Sequence, residues 1–81
     1  MTHTLKILPQ FYRVVLEERK TFEVRKKDRH FTCGDFVILE EYDPEYPSGY
    51  TGRFWHGIIT YVLDDERFCK KGYVVFGIRA L

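Results

Sequence analysis

KTFEVRK, the run from Lys20 to Lys26, is the stretch on which the fold turns. Strand alternation puts Phe22 and Val24 on one face and Thr21, Glu23 and Arg25 on the other. Read as a strand, this run separates one helical segment from a remainder that is entirely strand and loop. The chain then reads strand, helix and four further strands, a mainly β (α+β) protein of about five strands with one or two helices.

On the N-terminal side, Thr2 to Leu8 alternates as a short strand with Leu5 and Ile7 on one face. Pro9 suits the first turn of a helix, where its missing N–H is no loss. From Gln10 to Arg19, Phe11, Val14, Val15 and Glu18 fall on a helical stripe, with Tyr12, Arg13, Glu17 and Arg19 on the wetter faces. A helix this short serves as a lid or plug on a sheet.

On the C-terminal side, Lys27 to His30 is a polar loop and Gly34-Asp35 a turn leading into the apolar strand Phe36 to Leu39. Asp43 to Gly52 is a surface loop, in which Tyr46-Pro47-Ser48-Gly49 has the residues of a type I turn. Phe54 to Leu63 is the longest strand, Asp64 to Gly72 a charged loop, and Tyr73 to Arg79 a closing strand with Gly77 as a bulge. Short, mostly antiparallel strands in a chain this small favour a sheet that curls into a small β-barrel with the helix beside it.

The 81 residues fit a single domain spanning 1–81, and aromatics at 17% supply the large rings that a small core needs. The chain carries only Cys33 and Cys69, without CxxC spacing, which points to reduced thiols and a cytoplasmic protein. No apolar run is long enough for a membrane helix, so no membrane partner is expected. His3, His30 and His56 lack metal-ligand spacing, there is no phosphate-cradling glycine loop, and no metal or cofactor is expected. His56 reads as a structural histidine, while Cys33 beside Gly34 is a thiol to consider but a lone one.

A formal charge of +1 excludes a uniformly basic protein, yet the charges are segregated. Arg19, Lys20, Arg25, Lys26, Lys27 and Arg29 are opposed locally only by Glu23 and Asp28. Glu40, Glu41, Asp43, Glu45, Asp64, Asp65 and Glu66 face Arg53 alone. Glu23 beside Arg25 is either a plain structural pair or an acceptor that reads a base edge while Lys20 and Arg25 hold phosphate. Tyr50, Phe54 and Trp55 are the rings that follow the glycine-containing loop. Phe54 or Trp55 is needed in the core, which leaves Tyr50 as the better stacking residue.

Lys20-Thr-Phe-Glu-Val-Arg, followed by Gly34-Asp35 and an apolar strand, resembles the ASCH domain family of the PUA-like superfamily. That family has a helix, a Gly-x-Lys-x-x-Glu-x-Arg element, and a Gly-Asp turn before the next strand. Lys20, Glu23 and Arg25 match in place, whereas Glu18 stands where the pattern has glycine. Leu5-Lys-Ile-Leu-Pro-Gln-Phe, Arg25-Lys-Lys-Asp-Arg-His-Phe, Tyr50-Thr-Gly-Arg and Gly72-Tyr-Val-Val are similar to a compact bacterial and phage subfamily of unknown function. The resemblance spans almost the entire chain. It implies a five-stranded β-barrel with a helix beside a cleft, lined by Lys20, Glu23 and Arg25, that takes RNA or a nucleotide-like ligand. One similar bacterial branch deacetylates N4-acetylcytidine with a Lys, a Thr and a Glu. Lys20 fits that Lys, but Glu23 occupies the Thr position and Thr21 is displaced.

Three functions follow as expectations. The first is a binding module for RNA or a nucleotide, with Lys20, Glu23, Arg25, Lys26, Lys27, Arg29, Tyr50, Arg53 and Trp55 as candidate contacts. The second is a small amidohydrolase acting on acylated nucleosides, with Lys20 as base or nucleophile. The third is a protein-interaction module using the acidic side, Glu40 to Glu66.

Overall fold

The computed structural model describes residues 1–47 and 49–81. Strand β1 (Thr2–Ile7) leads into helix α1 (Pro9–Leu16), followed by β2 (Phe22–Lys26), β3 (Phe36–Tyr42), β4 (Tyr50–Leu63) and β5 (Tyr73–Ala80). All five strands lie in one curled sheet of order β1-β3-β4-β5-β2. The β1–β3 pair is parallel, and the other three pairs are antiparallel.

The sheet is a half-barrel rather than the closed barrel expected. β1 and β2 are its two edges, and no backbone ladder joins them. The five-residue β2 turns a charged side chain, Glu23, inward, and side chains rather than main-chain bonds span the gap. α1 covers one side of this gap.

Pro9 is the first helical residue, as its fixed φ and missing N–H favour. The helix stops at Leu16, three residues short of the expected Arg19. The Arg19 N–H donates to the Val14 carbonyl at 2.9 Å and the Glu18 N–H to the Val15 carbonyl at 3.0 Å. These are the two bonds of a Schellman motif, with Glu18 as its left-handed residue at φ 60°. The buried face also differs from the expected stripe: Tyr12 and Val15 point into the core, whereas Phe11 is exposed. Tyr12 is tolerated inside because its hydroxyl donates to the Phe54 carbonyl at 3.2 Å.

The core unites Leu5, Ile7, Val37, Leu39, Trp55, Ile59, Val74, Phe76 and Ile78 from four strands with Tyr12, Val15 and Phe31. Apolar residues alternate inward along β1, β3 and β5, as a one-sided sheet requires. β2 reverses this polarity: Phe22 is 46% and Val24 53% exposed, while Glu23 is 3% exposed.

β4 begins at Tyr50, four residues earlier than expected, and serves both neighbours in turn: its first half pairs with β3 and its second with β5. The irregularity expected at Gly77 lies on the facing strand, where Thr60 is the extra residue between Ile59 and Tyr61. Gly77 makes room for it, since a Cβ there would stand 2.6 Å from Thr60 Oγ1. β3 runs on past Leu39 to Tyr42. The Gly34-Asp35 turn is present, with Gly34 at φ 95°, a conformation open to glycine. The Tyr46–Gly49 turn includes Ser48, which lies outside the described residues; its Gly49 N–H donates to the Tyr46 carbonyl at 2.9 Å. No helix among the described residues is long and apolar enough to cross a membrane.

Candidate functional site

The gap between β1 and β2 is a cleft of about 350 Å³, lined by Lys6, Ile7, Leu8, Phe11, Lys20, Glu23, Val24 and Arg25. Its chemistry centres on Glu23. The Schellman turn releases the chain from α1 at Arg19, so Lys20 enters beside the helix and β2 starts at Phe22. Residues 23 and 25 then share the strand face toward the cleft.

Glu23 is buried between two cations. Its Oε1 accepts from Arg25 Nε at 3.0 Å and from Nη2 at 2.7 Å. Its Oε2 accepts from Lys20 Nζ. Lys20 Nζ also donates to the Phe22 carbonyl at 2.7 Å, and Arg25 Nη2 reaches across the gap to the Lys6 carbonyl at 2.6 Å. Among the described residues, Arg25 Nη1 has no hydrogen-bond partner. Charge-assisted bonds of this kind hold both cationic heads in fixed positions. Lys20 and Arg25 against Glu23 leave the cleft net positive, while the Lys6 ammonium lies over the Tyr42 ring, 4.4 Å from its centroid. The aromatic wall is close, with Lys20 Nζ 5.9 Å from the centroid of the Phe11 ring and 5.0 Å from that of Phe22. Phe11, Val14, Arg19, Lys20 and Phe22 line a shallow, largely apolar depression on the far side of Lys20.

Of the residues singled out in the sequence, the cleft gathers Lys20, Glu23 and Arg25. Lys26 is exposed on the next position of β2. Lys27 and Arg29 line a separate depression of about 290 Å³ with His30, Phe31, Val62, Asp64 and Val74. Lys27 there pairs with Asp64 at 2.9 Å, which raises its pKa above the ordinary lysine value. Trp55 is only 8% exposed and belongs to the core, while its neighbour Phe54 points outward. Tyr50 is exposed next to Tyr42, with the Lys6 ammonium 5.7 Å from its ring centroid. Arg53 lies on the other side of α1, its Nε donating to Glu41 Oε1 at 2.7 Å. That guanidinium, helped by a 2.7 Å bond from the Thr51 hydroxyl, holds the buried Glu41 carboxyl below its usual range.

Three further residues escaped the sequence reading. Lys6 borders the cleft from β1, offering its carbonyl to Arg25 while its ammonium lies over Tyr42, which only the pairing of strands far apart in sequence reveals. Phe11 was legible as an apolar residue of α1 but not as a cleft wall. His3 is the buried histidine, 1% exposed, packed on Phe31, with its Nε2 2.7 Å from Asp35 Oδ2. His56, by contrast, is exposed beside Phe36. Both cysteines are free thiols. Among the described residues no three His, Cys, Asp or Glu gather as a metal site.

Residues 2–78 match the family model described as "Domain of unknown function (DUF3850)". An uncharacterized 12.9 kDa protein in the GpA 3' region of Escherichia phage P2 is 39% identical over 62 residues, covering 76% of this chain and 54% of that protein. The chain therefore spans about half the length of this phage relative. With its helix and cleft inside the matched range, and its strands too except for the last two residues of β5, the chain belongs to the DUF3850 family.

Proposed function

We propose that the β1–β2 cleft binds RNA or a nucleotide-like ligand. The observation that carries this reading is the buried Glu23 carboxylate holding Lys20 and Arg25 at the foot of a net-positive cleft walled by Phe11. Phosphate, a delocalised anion, is matched by an oriented guanidinium and an ammonium. An unpaired base finds apolar surface on Phe11 and Phe22, the rings nearest these cations. Lys6 and Lys26 extend the basic rim. The order of helix, Lys-x-x-Glu-x-Arg and Gly-Asp turn supports a further inference, that the family is a branch of the ASCH group.

The hydrolytic alternative is weaker, because the Lys20 ammonium is already bonded to Glu23 and to the Phe22 carbonyl. Thr21 lines a different depression, which Lys20 borders together with Glu18, Trp55, Thr60 and Arg79, and Glu23 stands at the threonine position. The acidic side is a poorer docking surface than its composition implies. Glu41 is buried against Arg53, Asp64 pairs with Lys27, and Asp65 pairs with Arg67.

The test is binding of short single-stranded RNA to the double variant Lys20→Ala/Arg25→Ala. Loss of binding, with a flattened dependence of affinity on salt, is expected. Unchanged affinity would place the ligand elsewhere.

A further inference from the structure

On the opposite side of α1 from the cleft lies a cavity of about 280 Å³, lined by Pro9, Tyr12, Arg13, Leu16, Glu41 and Arg53. It is a separate, open depression with its own chemistry. Glu41 is 3% exposed, and only its Oε1 is engaged, by Arg53 Nε and the Thr51 hydroxyl. Among the described residues, no hydrogen bond reaches Glu41 Oε2. No fully enclosed side-chain oxygen or nitrogen among the described residues lacks a partner, so this oxygen keeps an opening through which a donor can reach it.

The cations beside it are equally open. Arg53 is engaged only through Nε, leaving both terminal nitrogens without a partner among the described residues, and Arg13 makes no hydrogen bond there. A carboxylate acceptor and a guanidinium donor thus stand side by side, 2.7 Å apart at their bonded atoms, on an apolar floor of Pro9, Tyr12 and Leu16.

We propose that this cavity is a second ligand site, for a free α-amino acid with an apolar side chain. Its ammonium donates to Glu41 Oε2 and its carboxylate accepts from Arg53 and Arg13. The side chain lies against Leu16 and Pro9. The adjacency of acceptor and donor selects the ligand class. In an α-amino acid the ammonium and carboxylate are separated by one carbon, whereas a nucleotide holds its amino group and phosphate far apart. The site is independent of the cleft reading, since it shares no lining residue with the cleft.

The experiment is titration of the protein with leucine, isocaproic acid (leucine without its amine) and isopentylamine (leucine without its carboxyl), followed by amide chemical shifts. Saturable shifts at Tyr12, Arg13, Leu16 and Arg53 are expected with leucine, and about tenfold weaker binding for each truncated analogue. Arg13→Ala, which removes no hydrogen bond of the fold, should weaken leucine binding, and Glu41→Gln should weaken it more. The proposal is overturned if leucine gives no saturable shifts, if the shifts fall in the β1–β2 cleft, or if Arg13→Ala leaves the affinity unchanged.

Discussion

Arg25 and Lys6 sit on strands that share no ladder, yet the Arg25 guanidinium donates to the Lys6 carbonyl at 2.6 Å. The same guanidinium holds Glu23, so one side chain both spans the gap and neutralises a buried carboxylate. Arg25→Ala is therefore expected to cost about 2 kcal/mol, the loss of charge-assisted hydrogen bonds to a carboxylate that keeps Lys20 as its partner. Urea denaturation measures it. In the double variant Glu23→Gln/Arg25→Ala part of the loss should return, and strictly additive costs would show that the two residues are uncoupled.

Glu18 is the only described non-glycine residue with positive φ, and it occupies the left-handed position of the Schellman turn. A residue with a Cβ is strained there by roughly 1 kcal/mol relative to glycine. Glu18→Gly should raise stability by about that amount, read as a higher denaturation midpoint with an unchanged slope. A loss of stability would mean that the Glu18 side chain makes a compensating contribution.

Two carboxylates tie stability to pH. The His3 imidazole first, then the Thr32 N–H, lowers the pKa of Asp35, and Arg53 lowers that of Glu41. Both folded-state values lie below the unfolded ones, so the unfolded chain binds more protons in acid. Their stabilisation is complete above the usual carboxylate range and disappears as pH falls through the lowered values. Stability should therefore drop from about pH 4 downward. Asp35→Asn and Glu41→Gln should each be less stable at neutral pH and show a shallower acid decline in urea midpoints measured across that range.

Gly77 faces Thr60 at the β4 bulge, where an added methyl would lie 2.6 Å from the Thr60 hydroxyl. Gly77→Ala should destabilise by about 1–2 kcal/mol, the usual cost of overpacking. Gly77→Ala/Thr60→Ala should recover most of it, because the clashing atom is gone. Thermal melts of both variants and the parent decide the matter.

The element order was legible because each segment carries a local signal: Pro9 at a helix start, alternation in β1 and β5, glycine before Asp35. What stayed hidden depends on partners far along the chain. Alternation in KTFEVRK separates Phe22 and Val24 from Glu23 and Arg25, but it carries no information about which face is buried. That is decided by β2 ending up as an edge strand opposite β1. The core place of Tyr12 likewise rests on a carbonyl 42 positions away. For the site, the Lys20, Glu23 and Arg25 cluster is local in sequence and was readable. Lys6 and the Glu41–Arg53 pair are not, since strand pairing brings them into place.

The gap has a consequence for how copies of the protein meet one another. An open sheet exposes two rows of main-chain donors and acceptors, a template on which another chain can add a strand and start a fibre. Here Lys6 stands on β1 and Arg25 and Lys26 on β2, so a second copy brought edge to edge would set like charges against like. Neutralising them removes that guard, and the protein then depends on its short β2 alone to stay dispersed.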